Sequence, residues 1–342
     1  MKINTESLIR NAKDKLYYPF PLSVNPFVEA AEKSTLNWLK EYNLVKNQDD
    51  FNKAVALRAW GVVAYSYPNA SFELLSLISD WINWIFLADD EYDEQALGKD
   101  PIQTSKVLDA YFNIICLRET DYQNNITLAL KNLMERLRKV TDKNWLAQYQ
   151  KSMSQYFEGC LKESFYRAAK EVPNVVDYLK LRLLSVGMYS FFDMIELTLS
   201  SDLPQYFKIS PEYFLFRDMA SNICAWANDI YSFPKEFRHG EPCNLLTSLM
   251  SHEVISFDKA FDKTVELHNQ EISHFIELEK RVLLEVINES ENQIVQEWIN
   301  GLKNWMVGAW RWTLESGRYQ VDLNDATNRV FFDDSSRESV PS

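Results

Sequence analysis

Trp81-Ile82-Asn83-Trp84-Ile85-Phe86-Leu87-Ala88-Asp89-Asp90-Glu91-Tyr92-Asp93-Glu94 is the stretch on which the fold class turns. Together with Leu74, Leu75 and Ile78 upstream, its apolar residues recur at three- and four-residue steps, the period of a helix with a buried face. Asp89 follows Ile85 by four and Phe86 by three, so it continues that face. Asp93 lies one turn further on, and Asp90 and Glu94 form a second i,i+4 pair beside it. The same stepping recurs in Ile126, Leu130, Leu133 and Leu137, and again in Leu302, Trp305, Met306 and Ala309, while strand-like alternation is nearly absent. Breaks fall at Tyr17 to Pro26, Pro68-Asn69, Gly98 to Pro101, Glu171 to Asn174, Asp202 to Pro211, and Arg238 to Pro242. An all-α fold follows, a bundle of about ten or more helices joined by short loops. No composition shift marks a second domain, so residues 1–323 are expected to form one helical unit. The polar stretch 324–342 is expected to be a disordered tail.

Composition narrows the function. Only 8 Gly in 342 residues argue against Gly-rich turn frameworks and nucleotide-binding loops. Cys116, Cys160, Cys224 and Cys243 lie far apart with no CxxC pair, so neither a disulfide scaffold nor a zinc site is expected. Their spacing suits a reducing cytoplasm. No run of about 18 apolar residues predicts a membrane span, and Met1 to Tyr17 lacks the apolar core of a signal peptide. A net charge of -13 disfavours nucleic acid, whose phosphates need a basic footprint.

Carboxylates one turn apart on a buried-facing stripe repel each other unless a positive charge sits between them. Hard oxygen ligands with no His or Cys nearby suit magnesium. A solvated helix end is the competing reading, and Phe331-Phe332-Asp333-Asp334 offers a similar aspartate pair in the tail. The tail copy has no apolar helix behind it, which favours Asp89. A second constellation is Asn228-Asp229-Ile230-Tyr231-Ser232-Phe233-Pro234-Lys235-Glu236, in which Asn228, Ser232 and Glu236 fall at i, i+4 and i+8. An amide oxygen, a hydroxyl and a carboxylate in line make another oxygen-ligand set, with Lys235 in reach of a phosphate. Pro234 removes one helical hydrogen bond, so a bend is expected there. A helix-end cluster of capping residues accounts for the same letters, and the pattern alone leaves both readings open.

Asp89-Asp90-x-x-Asp93-Glu94 resembles the aspartate-rich motif of class I terpene synthases, and Asn228-Asp229-x-x-Ser232-x-x-x-Glu236 resembles their second metal motif, in the same order. Arg182, in Tyr178-Leu179-Lys180-Leu181-Arg182-Leu183-Leu184-Ser185-Val186-Gly187, resembles the family's diphosphate-sensing arginine followed by a helix break. Trp312-Thr313-Leu314-Glu315-Ser316-Gly317-Arg318-Tyr319 resembles its closing Arg-Tyr motif with an upstream tryptophan. The likeness runs from about Pro19 to Tyr319 and has the look of the microbial branch, with Phe20-Pro21-Leu22-Ser23-Val24-Asn25-Pro26 near its start.

That resemblance implies a class I terpenoid synthase fold around an active-site cavity, and a carbon–oxygen lyase that ionises a linear prenyl diphosphate and cyclises the cation. It implies three magnesium ions (Mg2+). Two are held through Asp89, with Asp90, Asp93 or Glu94 as ligands or orienting groups, and one by Asn228, Ser232 and Glu236. It further implies that Arg182, Lys235, Arg318 and Tyr319 bind the diphosphate and that the Val186 carbonyl beside Gly187 senses ionisation. Phe86 and Trp312 are the foremost candidates for cavity aromatics, ahead of Tyr65, Phe191 and Phe192. Metal ions also resolve a charge conflict, since a bare carboxylate–phosphate contact costs on the order of 4 kcal/mol at about 4 Å. The last acid of the first motif is either Asp93 or Glu94.

A chain-elongating prenyltransferase would need a second aspartate-rich motif where the Asn228 stretch stands. A di-iron bundle needs paired Glu-x-x-His motifs, and Glu271-Ile272-Ser273-His274 is alone. A non-enzymatic scaffold gives no reason for Asn, Ser and Glu to share a stripe beside Lys235. The family likeness favours fifteen-carbon farnesyl diphosphate, with twenty-carbon geranylgeranyl diphosphate as the alternative and water capture as a possible end of the reaction. A monomer or homodimer is expected.

Overall fold

A computed structural model describes residues 5–93, 96–286 and 288–320, the side chains of 5–6, 91–93, 96–97 and 320 excepted. The Asp93 and Glu94 side chains and the tail 324–342, with its Asp333-Asp334 pair, lie outside the described residues. The described chain is helical, with no strand. The helices run α1 Thr5–Lys15, α2 Val28–Glu41, α3 Gln48–Leu57, α4 Ala59–Ser66 and α5 Phe72–Asp93. After a 3-10 turn at Ala96–Lys99 come α6 Pro101–Ile115, α7 Asn125–Leu137, α8 Lys143–Ala169, α9 Val175–Ser185 and α10 Met188–Ile195. The rest are α11 Gln205–Lys208, α12 Pro211–His239, α13 Leu245–His252, α14 Phe257–Glu285, α15 Glu289–Glu315 and α16 Gly317–Gln320.

Capping chemistry sets most of these starts. Asp100 accepts from the Ile102 and Gln103 amides with Pro101 at the first helical position, and Asn124 with Thr127 forms a reciprocal box. Asp142, Asn174, Ser210, Asn244, Ser256 and Asn288 each accept from an amide of the turn that follows. The expected breaks hold, with small shifts. α12 runs to His239 before Gly240 ends it in the left-handed conformation, and α11 occupies part of the 202–211 stretch. Pro234 does not interrupt α12.

One buried apolar cluster extends from Leu8 to Tyr319 and draws on nearly every helix. The four cysteines are free, three of them buried. No described helix is long and apolar enough to cross a membrane.

The N-terminal segment is tied down by α14. Tyr18 stacks on Trp310 at 4.9 Å, and its hydroxyl shares a 3.0 Å hydrogen bond with His268 Nε2. Burial pushes the His268 pKa down from 6.5 to about 4. A histidine with a depressed folded pKa contributes full stability above its unfolded pKa and loses it as pH falls from about 6.5 toward 4. At pH 5 the loss is about 2 kcal/mol. Urea melts at pH 7.5 and pH 5 should show that drop in the wild type and a smaller one in His268→Gln. Equal pH slopes in the two proteins would remove the assignment.

Candidate functional site

α12 carries Asn228, Ser232 and Glu236 on its inward stripe. Asn228 Nδ2 donates to the Tyr319 hydroxyl at 2.7 Å, and Asn228 Oδ1 accepts from Arg182 Nη2 at 2.7 Å. Arg182 Nε donates to Asp229 Oδ1 at 3.0 Å. The other Asp229 oxygen accepts from the Tyr178 hydroxyl and from the Leu245 amide. Residues from α9, α12 and α16, far apart in sequence, thus close into one hydrogen-bonded group. Asn244, which caps α13, donates to Glu236 Oε2 at 2.8 Å and to the Asp229 carbonyl at 2.9 Å, so it orients the end of the stripe.

The electrostatics of this stripe call for a cation. Burial, reinforced by the Asp229 charge, pushes the Glu236 pKa up to about 7. Burial also raises Asp229, opposed by Arg182 and Tyr178. Ser232 Oγ is buried and hydrogen-bonds the Glu236 carboxylate one turn further on. An amide oxygen, a buried hydroxyl and a desolvated carboxylate at helical steps suit a hard divalent ion. Among the described residues no group of three or more His, Cys, Asp or Glu has metal-binding geometry, as expected of a stripe built on an amide and a hydroxyl.

The first motif is brought in from α5. Phe86 stacks on Trp312 with ring centroids 5.6 Å apart, and the Arg318 guanidinium sits 4.9 Å over the Phe86 ring. Trp312 meets Tyr319 edge-on at 5.8 Å and donates its indole N–H to the Leu57 carbonyl. Asp89, half-buried, lies one turn beyond Phe86 with Asp90 beside it. Phe86, Trp312, Arg318 and Tyr319 form one cluster, and Tyr319 joins it to Asn228. Lys235 is half-buried next to Glu236, and Val186 is half-buried at the end of α9.

The helix break after Arg182 is real. Val186 caps α9, Gly187 has φ of 73°, and α10 begins at Met188. A side chain at Gly187 would be strained and would also meet the Tyr156 ring at 3.0 Å. From the other side, Gly159 on α8 lets that helix touch the break. A Cβ there would come within 2.5 Å of the Ser185 nitrogen.

Sequence reading assigned no role to Asp229, Tyr178, Asn244 or Arg167. Arg167 is 7% exposed, with Nε donating to the Gly98 carbonyl at 3.1 Å and Nη1 lying 3.5 Å from Glu241 Oε1 and 3.7 Å from Glu163 Oε2. Gly98 follows the first motif and Glu241 the second, so one side chain on α8 braces the loops after both. The available signal was Gly159, Glu163 and Arg167 at four-residue steps along α8, small and charged residues on an otherwise apolar buried stripe.

Residues 80–274, more than half of the chain, match the family model described as terpene synthase family 2, C-terminal metal binding. The chain is similar to the (+)-T-muurolol synthase of Roseiflexus castenholzii, 30% identical over 307 residues covering 89% of this chain and 93% of that protein. It is also similar to the germacrene A synthase of Nostoc punctiforme, 29% identical over 305 residues, with 89% and 94% covered. In fold it is similar to a crystal structure of a-eudesmol synthase, with a TM-score of 0.78 at 23% identity, covering 88% of this chain and 99% of that one. Asn228, Ser232 and Glu236 on α12 lie inside the matched region, and the chain belongs to terpene synthase family 2.

Proposed function

We propose that this terpene synthase ionises farnesyl diphosphate with magnesium and folds the resulting allylic cation into rings, working as one catalytic unit over residues 1–323. The direct bonding of Arg182, Asn228, Asp229 and Tyr319 is the observation that carries this reading. Magnesium, when held by the residues of the two motifs, would supply the positive charge that neutralises the departing diphosphate. Asp89 with Asp90, Asp93 or Glu94 would hold part of the metal, and Asn228, Ser232 and Glu236 the rest. Arg182 and Arg318 offer fork-shaped donors to phosphate oxygens, Lys235 a point charge, and Tyr319 a hydroxyl. With Arg318 drawn off to the diphosphate, Phe86 and Trp312 would each offer a ring face that steadies a passing cation by about 0.5–2 kcal/mol. Closure of Arg318-Tyr319 over the site keeps water from the cation. The Val186 carbonyl at the break is the group assigned to sense ionisation.

Incubation with ten-, fifteen- and twenty-carbon prenyl diphosphates plus magnesium should give diphosphate release fastest with the fifteen-carbon substrate, together with cyclic products by mass analysis. Preference for the twenty-carbon substrate would move the assignment to a diterpene synthase. Absence of release with every chain length would overturn it.

Arg167 acts here as a positioning residue. Arg167→Lys keeps the charge and removes the fork, so the loops after both metal motifs lose their shared brace. The magnesium concentration for half-maximal turnover should rise by about tenfold, the usual effect of losing a group that orients metal ligands. A structural role alone would lower the melting temperature without moving the magnesium dependence.

A further inference from the structure

Tyr319 is carried by α16, a helix of four residues. A helix that short does not hold itself, because fixing the first turn costs more than its few hydrogen bonds return. Its place is set by what it packs on. The Tyr319 hydroxyl accepts from Asn228, and its ring meets Trp312 edge-on at 5.8 Å and Tyr231 edge-on at 6.4 Å. Asn228 and Tyr231 lie three residues apart on α12, so one patch of that helix receives both the hydroxyl and the ring.

Each of those two rings is itself held. Trp312 is fixed by the Leu57 carbonyl, which accepts its indole N–H. Tyr231, only 2% exposed, is fixed from the other side, where its hydroxyl accepts from the Trp310 indole N–H. Phenylalanine would fill the same space at position 231 without burying a hydroxyl, a group that is costly inside a protein unless it is bonded. The hydroxyl therefore serves the bond to Trp310, not the volume.

Trp310 leads back to the start of the chain. Its ring lies on that of Tyr18, centroids 4.9 Å apart and planes 23° apart, and the Tyr18 hydroxyl is tied to His268. The backbone on either side is clipped to the same helix, with the Tyr17 amide donating to Asn269 Oδ1 at 2.9 Å and Asn269 Nδ2 donating to the Lys15 carbonyl at 2.9 Å. Upstream, Leu8, Ala12 and Leu16 are buried, which roots α1 in the core. A run of rings thus passes from Tyr18 through Trp310 and Tyr231 to Tyr319.

We propose that Tyr231 is a positioning residue for Tyr319, held in register by Trp310 and the N-terminal Tyr18, so that the start of the chain governs how well the closing segment keeps water from the cation. The inference rests on the function proposed above. Its signature is chemical. A loosened Tyr319 admits water to the first allylic cation. A lone pair of the water oxygen then forms a C–O bond to the cationic carbon, one water O–H bond breaks, and its proton passes to solvent. The product is an acyclic alcohol in place of a ring.

Turnover of farnesyl diphosphate with magnesium, read as diphosphate release and as the acyclic fraction of the product, tests the proposal. Tyr231→Phe keeps the ring against Tyr319 and removes the acceptor, while Trp310→Phe keeps a ring on Tyr18 and removes the donor. Each should raise the acyclic fraction by about fivefold, the weight of one hydrogen bond. The double variant should go no further than either single one, because both remove the same bond. A cluster that merely packs would lower the melting temperature and leave the acyclic fraction fixed. An unchanged fraction in both variants, or effects that multiply in the double variant, would overturn the proposal. Tyr18→Leu should raise the fraction too, and an unchanged value there would overturn the part played by the N-terminus. Hydrogen–deuterium exchange needs no turnover. The amides of residues 317–320 should exchange about fivefold faster in Tyr231→Phe, with those of α13 unchanged. Equal exchange at 317–320 would overturn the positioning role whatever the products. Absence of diphosphate release by the wild type would instead count against the function itself, with the exchange result still deciding the role of Tyr231.

Discussion

Asn228→Ala is expected to lower turnover by at least about 10³-fold, because three contributions vanish at once. The stripe loses its amide oxygen, and with it a share of metal charge stabilisation that is worth several kcal/mol in sites of this kind. Tyr319 loses the group that holds it at 2.7 Å, and Arg182 loses one of its two acceptors. At about 1.4 kcal/mol per factor of ten, a loss near 4 kcal/mol suffices. The fold should survive, since Asp229 still anchors Arg182. Diphosphate release is the assay, with circular dichroism as the control, and Asp89→Ala should give a comparable loss from the other helix. Wild-type rates in either variant would refute the metal assignment.

Gly159→Ala should have the largest effect on the scaffold. Its new methyl group would sit 2.5 Å from the Ser185 nitrogen and 2.7 Å from the Ser185 Cα, atoms of a backbone that cannot rotate aside. α8 and α9 must separate, at a cost of about 1–3 kcal/mol in overpacking. Arg182 lies three residues before Ser185, so its forked contacts to Asn228 and Asp229 move with the break. A lower urea midpoint together with at least about tenfold slower turnover is expected from a displacement on the ångström scale. A fully stable variant would show that the contact relaxes cheaply.

The helices and their joints were legible because their causes are local. Apolar residues at three- and four-residue steps, Asp100-Pro101, Ser210-Pro211 and Asn124 with Thr127 all act within one or two turns. The Asn228, Ser232 and Glu236 stripe was legible for the same reason. What holds the stripe was not. Asn244 reaches Glu236 from a different helix, Tyr178 reaches Asp229 from α9, and Arg167 reaches two loops from α8. Such partners are set by how helices cross, which periodicity within one helix does not encode. Phe86 and Trp312 show the intermediate case: each was identifiable as a candidate, but their mutual stacking under Arg318 needed the packed structure.

The bond from Arg182 Nη2 to Asn228 Oδ1 has a thermodynamic consequence. Under the proposed roles, that amide oxygen is the atom a metal ion needs, and that guanidinium is the donor a phosphate needs. Neither can be fully engaged while each occupies the other. A cation arriving on Asn228 frees the arginine, and a diphosphate claiming the arginine frees the amide. Each ligand thus removes a cost the other would bear, so their binding should be positively cooperative, with a coupling in the usual range of about 1–3 kcal/mol. An enzyme wired in this way would hold magnesium and prenyl diphosphate each roughly 5- to 150-fold more tightly once the other is in place.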